Sequence, residues 1–208
     1  MKTFKEFDFA PFKSHYAQTM AADSRGFYFH KEFANFQDAH LAEFLTPFLA
    51  RVKKKFYLIS GGDASIKALD LEASTRMIEH QRTDNSHHYF NSENTIYHQN
   101  NFLAEFKRLE SVNLSKFESF DGYWARDDQR VYVRDQIVPE ADPKSFKNGY
   151  VGYGTDANFV FWLGPKPFKI ANADLKSFKE LESSEDGYDA EDKKGAFIGG
   201  KRVSKDKN

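Results

Sequence analysis

Gly122-Tyr123-Trp124-Ala125-Arg126-Asp127-Asp128-Gln129-Arg130-Val131-Tyr132-Val133 is the stretch that decides how the chain is read. An aromatic run enters a polar cluster, Asp127-Asp128-Gln129-Arg130, and an apolar triplet leaves it. A turn followed by an apolar triplet is a hairpin signal. Downstream stands Ala141-Asp142-Pro143-Lys144-Ser145-Phe146. The Asp142 carboxylate is suited to accept backbone N–H groups two or three residues on. Pro143 fits the first position of the short turn that follows, and Phe146 is placed to plug back into the core. The unit therefore reads strand, tight turn, strand, loop, Asp-headed turn.

The same order recurs in both directions. Apolar triplets or pairs at Phe27-Tyr28-Phe29, Phe56-Tyr57-Leu58, Ile96-Tyr97, Val160-Phe161-Trp162 and Ala196-Phe197-Ile198 each follow a polar cluster. Asp174-Leu175-Lys176-Ser177-Phe178 repeats the Asp142 segment 32 residues later. Asn113-Leu114-Ser115-Lys116-Phe117 and Asp70-Leu71-Glu72-Ala73-Ser74 are weaker versions, and Asp38 heads a further one. This spacing predicts six copies of about 30 residues, at 16–44, 50–77, 88–117, 122–146, 150–178 and 187–203. Periods in the 20–50 range belong to units that bury their faces by stacking on neighbours.

Asp127-Asp128-Gln129-Arg130-Val131-Tyr132, continued by Ala141-Asp142-Pro143-Lys144-Ser145-Phe146, resembles the bacterial DKNYY repeat family. The likeness is close over 120–203, looser over 50–117 and faint before 50. It departs from the Asp-Lys-Asn-Tyr-Tyr pattern at Gln129-Arg130-Val131 and at Asn158-Phe159-Val160. The resemblance implies a repeat fold and brings no catalytic residues with it.

Composition agrees with a packed β-rich protein. The 208 residues include 22 Phe, 10 Tyr and 2 Trp against 3 Met, and flat rings suit a pleated face. A hydrophobic fraction of 40% excludes a disordered chain. With 30 basic and 31 acidic side chains the formal net charge is −1, which argues against a general nucleic-acid binder. There is no cysteine, so disulfides, thiolate nucleophiles and cysteine metal sites are excluded. The N-terminus has no signal-peptide core and no stretch of 18 apolar residues occurs, so the expected location is the cytoplasm, with no membrane contact.

The N-terminal part reads as more helical. Phe36, Ala39, His40, Phe44, Leu45 and Phe48 approach i, i+3, i+4 spacing over 37–52, with Pro47 cutting in. Segments 66–77 and 103–109 give shorter helical faces. The expected fold class is therefore α+β: one domain over 1–208, with a mixed helix/strand part at 1–85, β-hairpin repeats over 86–203 and a polar tail at 204–208.

Motifs for catalysis are missing. Gly61-Gly62 and Gly199-Gly200 follow apolar strands at equivalent places and read as hairpin turns; no nucleophile elbow or phosphate loop surrounds them. Seven histidines are present. His87 and His88 are adjacent and point to opposite faces of a strand, while His88 and His98 are placed to meet across a hairpin. An enzyme would draw on His88, His98 and Glu93, but no spacing demands it. The reading is no enzyme, no metal and no cofactor.

The acidic run from Glu180 to Asp192 is the strongest charge feature. It carries no Lys or Arg among its seven carboxylates, and such a patch steers a basic partner. The expectation is a non-enzymatic partner-binding protein: an immunity protein that covers the active site of a cognate antibacterial toxin, a nuclease by preference. Glu185, Asp186, Asp189, Glu191 and Asp192 are the expected contacts. The alternative is a repeat-built ligand- or glycan-binding module using Trp124, Tyr153 and Trp162.

Overall fold

The computed structural model describes residues 5–7, 20–29, 32–60, 65–79, 87–100, 105–149, 152–182 and 187–203. They form six four-stranded antiparallel sheets, each a meander of consecutive strands. Sheet 1 comprises β1 (Lys5–Phe7), β2 (Met20–Ala22), β3 (Gly26–Phe29) and β4 (Glu32–Asn35). Sheet 2 has β5 (Ala42–Thr46), β6 (Leu49–Val52), β7 (Lys55–Ser60) and β8 (Ser65–Leu69). Sheet 3 has β9 (Arg76–Met77), β10 (His87–Ser92), β11 (Thr95–Asn100) and β12 (Glu105–Arg108). Sheet 4 has β13 (Glu118–Ser119), β14 (Trp124–Arg126), β15 (Val131–Val133) and β16 (Gln136–Ile137). Sheet 5 has β17 (Lys147–Asn148), β18 (Tyr153–Thr155), β19 (Val160–Trp162) and β20 (Phe168–Lys169). Sheet 6 has β21 (Lys179–Glu180), β22 (Ala190–Asp192), β23 (Gly195–Ile198) and β24 (Lys201–Val203). Sheets 1–3 lie in one compact unit, Met1–Glu110, and sheets 4–6 in a second, Ser111–Asn208.

One register rule runs through the repeat. A ring on the third strand of a sheet stands opposite a small residue on the second: Tyr28 opposite Ala21, Tyr57 opposite Ala50, Tyr132 opposite Ala125, Phe161 opposite Gly154 and Phe197 opposite Ala190. Sheet 3 departs from it, with Tyr97 opposite Phe90. The small partner makes room for the ring of the neighbouring copy. At Gly154 a Cβ would fall 2.4 Å from Cζ of Phe146.

Within each unit the sheets stack through both faces. Phe27 and Ala34 of sheet 1 share a core with Ala42, Ala50 and Ile59 of sheet 2. Leu49 and Phe56 on the other side of sheet 2 pack with Phe90 of sheet 3. In the second unit Trp124, Val131 and Val133 meet Phe146 and Phe161, and Tyr153 and Val160 meet Ala190 and Phe197. Phe146 is thus the core plug expected of the Asp-headed segment.

This double burial overturns the α+β expectation. Among the described residues the fold is almost all β: 50% strand, 4% helical and no α-helix. The stretch 37–52 is a 3-10 turn (Ala39–Leu41), β5, a tight turn at Pro47-Phe48 and β6. The stretch 66–77 supplies most of β8 and then β9, and 105–108 is β12. When both faces of a strand are covered, apolar residues no longer alternate and accidental helical spacings arise. Leu49, Ala50 and Val52 of β6 are all buried. Six copies are present, but each frame starts one strand earlier than expected, and in sheets 2–6 that strand follows a loop headed by Asp38, Asp70, Asn113, Asp142 or Asp174.

Candidate functional site

Each sheet has a head position at the turn between its second and third strands, and four of the six carry a buried aspartate there: Asp23, Asp127, Asp156 and Asp192. One carboxylate oxygen accepts the amides of its own turn. Asp127 Oδ1 takes the N–H groups of Gln129 and Arg130 at 2.8 and 2.7 Å, and Asp156 Oδ1 those of Asn158 and Phe159 at 2.8 and 2.7 Å. The second oxygen accepts the amide that opens the preceding Asp-headed loop: Asn113 N to Asp127, Asp142 N to Asp156 and Asp174 N to Asp192, at 2.7–2.9 Å. In sheet 3 the Ser92 hydroxyl takes this role for Glu72 N. In sheet 2 the head position is the apolar Val52.

The loops answer in kind. The Asp142 carboxylate accepts Lys144 N and the Ser145 hydroxyl, and Asp174 accepts the amide and hydroxyl of Ser177. Those hydroxyls in turn accept Ala157 N and Lys193 N from the neighbouring turn. Donors crowded around ionised oxygens hold a carboxyl acidic. The Arg25 side chain holds Asp23 at about 2. The Ser145 hydroxyl and Lys144 amide lower Asp142, and the Lys193 ammonium and Ser177 hydroxyl lower Asp174. Burial works against ionisation of Asp127, but three amides and the Tyr132 hydroxyl outweigh it.

Of the five expected contact residues, Glu185 and Asp186 lie outside the described residues. The structure places the other three in sheet 6 and just before it. Asp192 is the head residue of that sheet. Its side chain is 0% exposed beneath the Arg202 guanidinium, which donates to both oxygens at 2.8 and 2.6 Å. Arg202 first, then the Asp174 and Lys194 amides, hold this carboxyl well below the usual range. Glu191 pairs with Lys179 across β21 and β22 at 2.6 Å. The same cross-strand place holds Glu43–Arg51 in sheet 2 and Glu118–Arg126 in sheet 4. Asp189 accepts the Tyr153 hydroxyl at 2.5 Å and Gly199 N at 2.6 Å, and Gly200 N donates to the Tyr153 oxygen. Burial, then the neighbouring Asp189, push the Tyr153 hydroxyl far up, so it stays a donor. Asp189 and Asp192 thus bracket β22, joined to sheet 5 by Tyr153 and Asp174. Arg202 escaped the reading of the sequence, and Tyr153 was singled out there as a stacking ring, not as the hydroxyl that bonds Asp189.

The histidines correct an expectation. His98 meets His87, not His88: Nδ1 of His87 lies 3.0 Å from Nε2 of His98, with the rings nearly parallel. His88 stands opposite Gln99 on the other face of the hairpin. Glu93 lies at the far end of that hairpin, in the turn between β10 and β11, at φ 50°. Among the described residues no group of three or more His, Asp or Glu is arranged to hold a metal ion. Trp124 and Tyr153 are core residues, and Trp162 is half-buried. Gly199-Gly200 is the expected turn, between β23 and β24, at φ 57° and 75°. Gly61-Gly62 lies outside the described residues. No helix among these residues is long and apolar enough to cross a membrane.

A head residue bonded to its own turn and to the preceding loop, renewed from sheet to sheet, defines a β-repeat protein whose units are joined by side chain to backbone bonds. The chain belongs to the DKNYY family, whose model matches residues 1–165. The match takes in the first 50 residues, where the resemblance is faint to the eye. It ends within sheet 5. No curated protein and no solved structure matches the chain.

Proposed function

We propose that this chain is a non-enzymatic partner-binding protein, and specifically a cytoplasmic immunity protein that binds a cognate antibacterial toxin and occludes its active site. A nuclease is the favoured toxin, because its RNA-binding face is positive. The observation that carries this reading is the direction of the chain's polar chemistry. The carboxylates that could act as acids or bases, Asp23, Asp127, Asp156 and Asp192, point into turns and accept structural amides. His87 and His98 bond to each other. A repeat scaffold also offers an extended surface, the arrangement that suits one tight protein contact.

In this reading the acidic segment faces the toxin. Glu185, Asp186, Asp189 and Glu191 supply negative potential toward basic cleft residues, and Asp192 holds β22, which bears Glu191. Such a field speeds encounter and sets orientation. A glycan-binding module would need stacking rings at the surface; with Trp124 and Tyr153 buried, that alternative rests on Trp162.

The test is co-expression with the C-terminal domain of the protein encoded immediately upstream. Rescue of growth together with a stable 1:1 complex is the expected result. A domain that neither harms cells nor binds the chain would sink the immunity reading.

A further inference from the structure

Independently of the partner-binding reading, the geometry points to a metal site in sheet 3: His87 and His98 form a two-coordinate seat for a soft monovalent cation, Cu(I) by preference. The first observation is how the two rings meet. Nδ1 of His87 lies 3.0 Å from Nε2 of His98, the ring planes differ by 19° and the ring centres are 5.0 Å apart. The nitrogens are far closer than the ring centres, so the rings meet end to end rather than face on. Each bridging nitrogen aims its in-plane lone pair, or the proton on it, at the other ring.

The second observation is where the repeat places these residues. His98 stands opposite Tyr89, which precedes the head residue Ser92 by three. The same place holds Leu58 opposite Leu49 in sheet 2, Val133 opposite Trp124 in sheet 4 and Trp162 opposite Tyr153 in sheet 5. His87 precedes the head by five, where sheets 2, 4 and 6 have Pro47, Gly122 and Gly187. The β10–β11 ladder has six pairs against three in the central hairpins of sheets 4–6, and the extension brings His87 into it. Both histidines are buried, and the Tyr89 ring centre lies 5.1 Å from that of His98. Burying an imidazole where hydrocarbon serves in the other copies costs stability, and a hydrogen bond only reduces that cost. Packing alone therefore does not account for two of them converging.

Geometry selects the ion. Neutral imidazole is a metal ligand. Zn(II) takes four ligands in a tetrahedron, and among the described residues no third His, Asp or Glu joins the pair. Nitrogens aimed head-on suit linear coordination, which Cu(I) and Ag(I) accept. A soft monovalent ion also tolerates a dry seat better than a divalent one. Lys107 stands opposite His98 on β12, and Glu105 meets its charge at 3.0 Å, so these two add no net charge beside the pair. Two in-line metal–imidazole bonds span about 4 Å, so the rings part by about 1 Å on binding. His87 is the first residue of β10, where its side chain can shift without breaking the ladder beyond it. No proton need leave. The ring that donates in the His87–His98 bond moves its proton to its other nitrogen, and both bridging lone pairs then bind the ion.

The experiment titrates the full chain anaerobically with Cu(I) in competition with the chromophore bicinchoninate. One Cu(I) per chain is expected. His87→Gln or His98→Gln should weaken binding at least about 100-fold, more than the loss of a residue that only orients a ligand. His88→Gln should bind as the parent chain does. Ag(I) gives a readout that needs no variant. In nitrogen-15 NMR of the parent chain, bound silver should split the resonances of His87 Nδ1 and His98 Nε2 and leave those of His88 single. Cu(I) held equally by both variants would place the ion elsewhere and overturn the site, as would a parent chain that takes up none. Tighter binding of Zn(II), abolished by the same two substitutions, would overturn the linear assignment. If either variant fails to fold by circular dichroism, the silver splitting decides, and its absence overturns the proposal.

Discussion

Asp127 shows how one residue type organises a repeat. Its carboxylate accepts two amides of its own turn, the Asn113 amide and the Tyr132 hydroxyl. Replacing it by Ala strands several buried donors at once, each costing about 1–3 kcal/mol. Asp127→Ala is therefore expected to lower the urea midpoint more than Asp127→Asn, which keeps an accepting oxygen. Equal losses would mean that the charge, not the hydrogen bonds, is what matters. Gly154 is the opposite kind of residue, defined by what it lacks. An alanine Cβ there collides with Phe146 and approaches Trp124 at 3.3 Å. Gly154→Ala should destabilise by about 1–3 kcal/mol, the usual cost of overpacking. Unchanged thermal stability would show that the Phe146 ring moves aside freely.

At the scale of the turn and its loop, acid is the lever. Asp23, Asp127, Asp142, Asp174 and Asp192 all have carboxyls held below their ordinary value. A depressed folded-state pKa contributes stability that is complete above the unfolded value, near 4, and is lost as pH falls through the folded one. The urea midpoint should thus be flat from pH 7 to about pH 5 and drop steeply toward pH 2. Asp192→Asn should flatten that drop. A midpoint that stays level down to pH 3 would mean these turns survive protonation. The elements themselves were partly legible. Turn clusters followed by apolar triplets located the central hairpins, and Asp142 and Asp174 were recognisable as loop heads because their motif is local. The bond from Asp156 to the Asp142 amide was not, since it joins residues 14 apart through the register of a sheet. The two-residue strands β13, β17 and β21 are too short to show a period. His87 was passed over for His88 because the strand's facing could not be fixed from the sequence, and a slip of one residue inverts every side chain.

Across a whole unit, a meander stacked on its neighbours makes stability a sum of copies and the interfaces between them. Trp124 is the largest fully buried side chain among the described residues and belongs to the core shared by sheets 4 and 5. Trp124→Ala removes contacts with Phe146, whose ring centroid lies 5.1 Å away, and opens a cavity. Large-to-small changes of this kind cost about 3–5 kcal/mol. If neighbour interfaces dominate, native-state hydrogen exchange will show the loss first in the amides of β14, β15, β18 and β19. The slow amides of β6 and β7, held in the separate core of sheets 1 and 2, would keep their protection. A uniform fall in all slow amides would instead mean that the chain unfolds as one cooperative body.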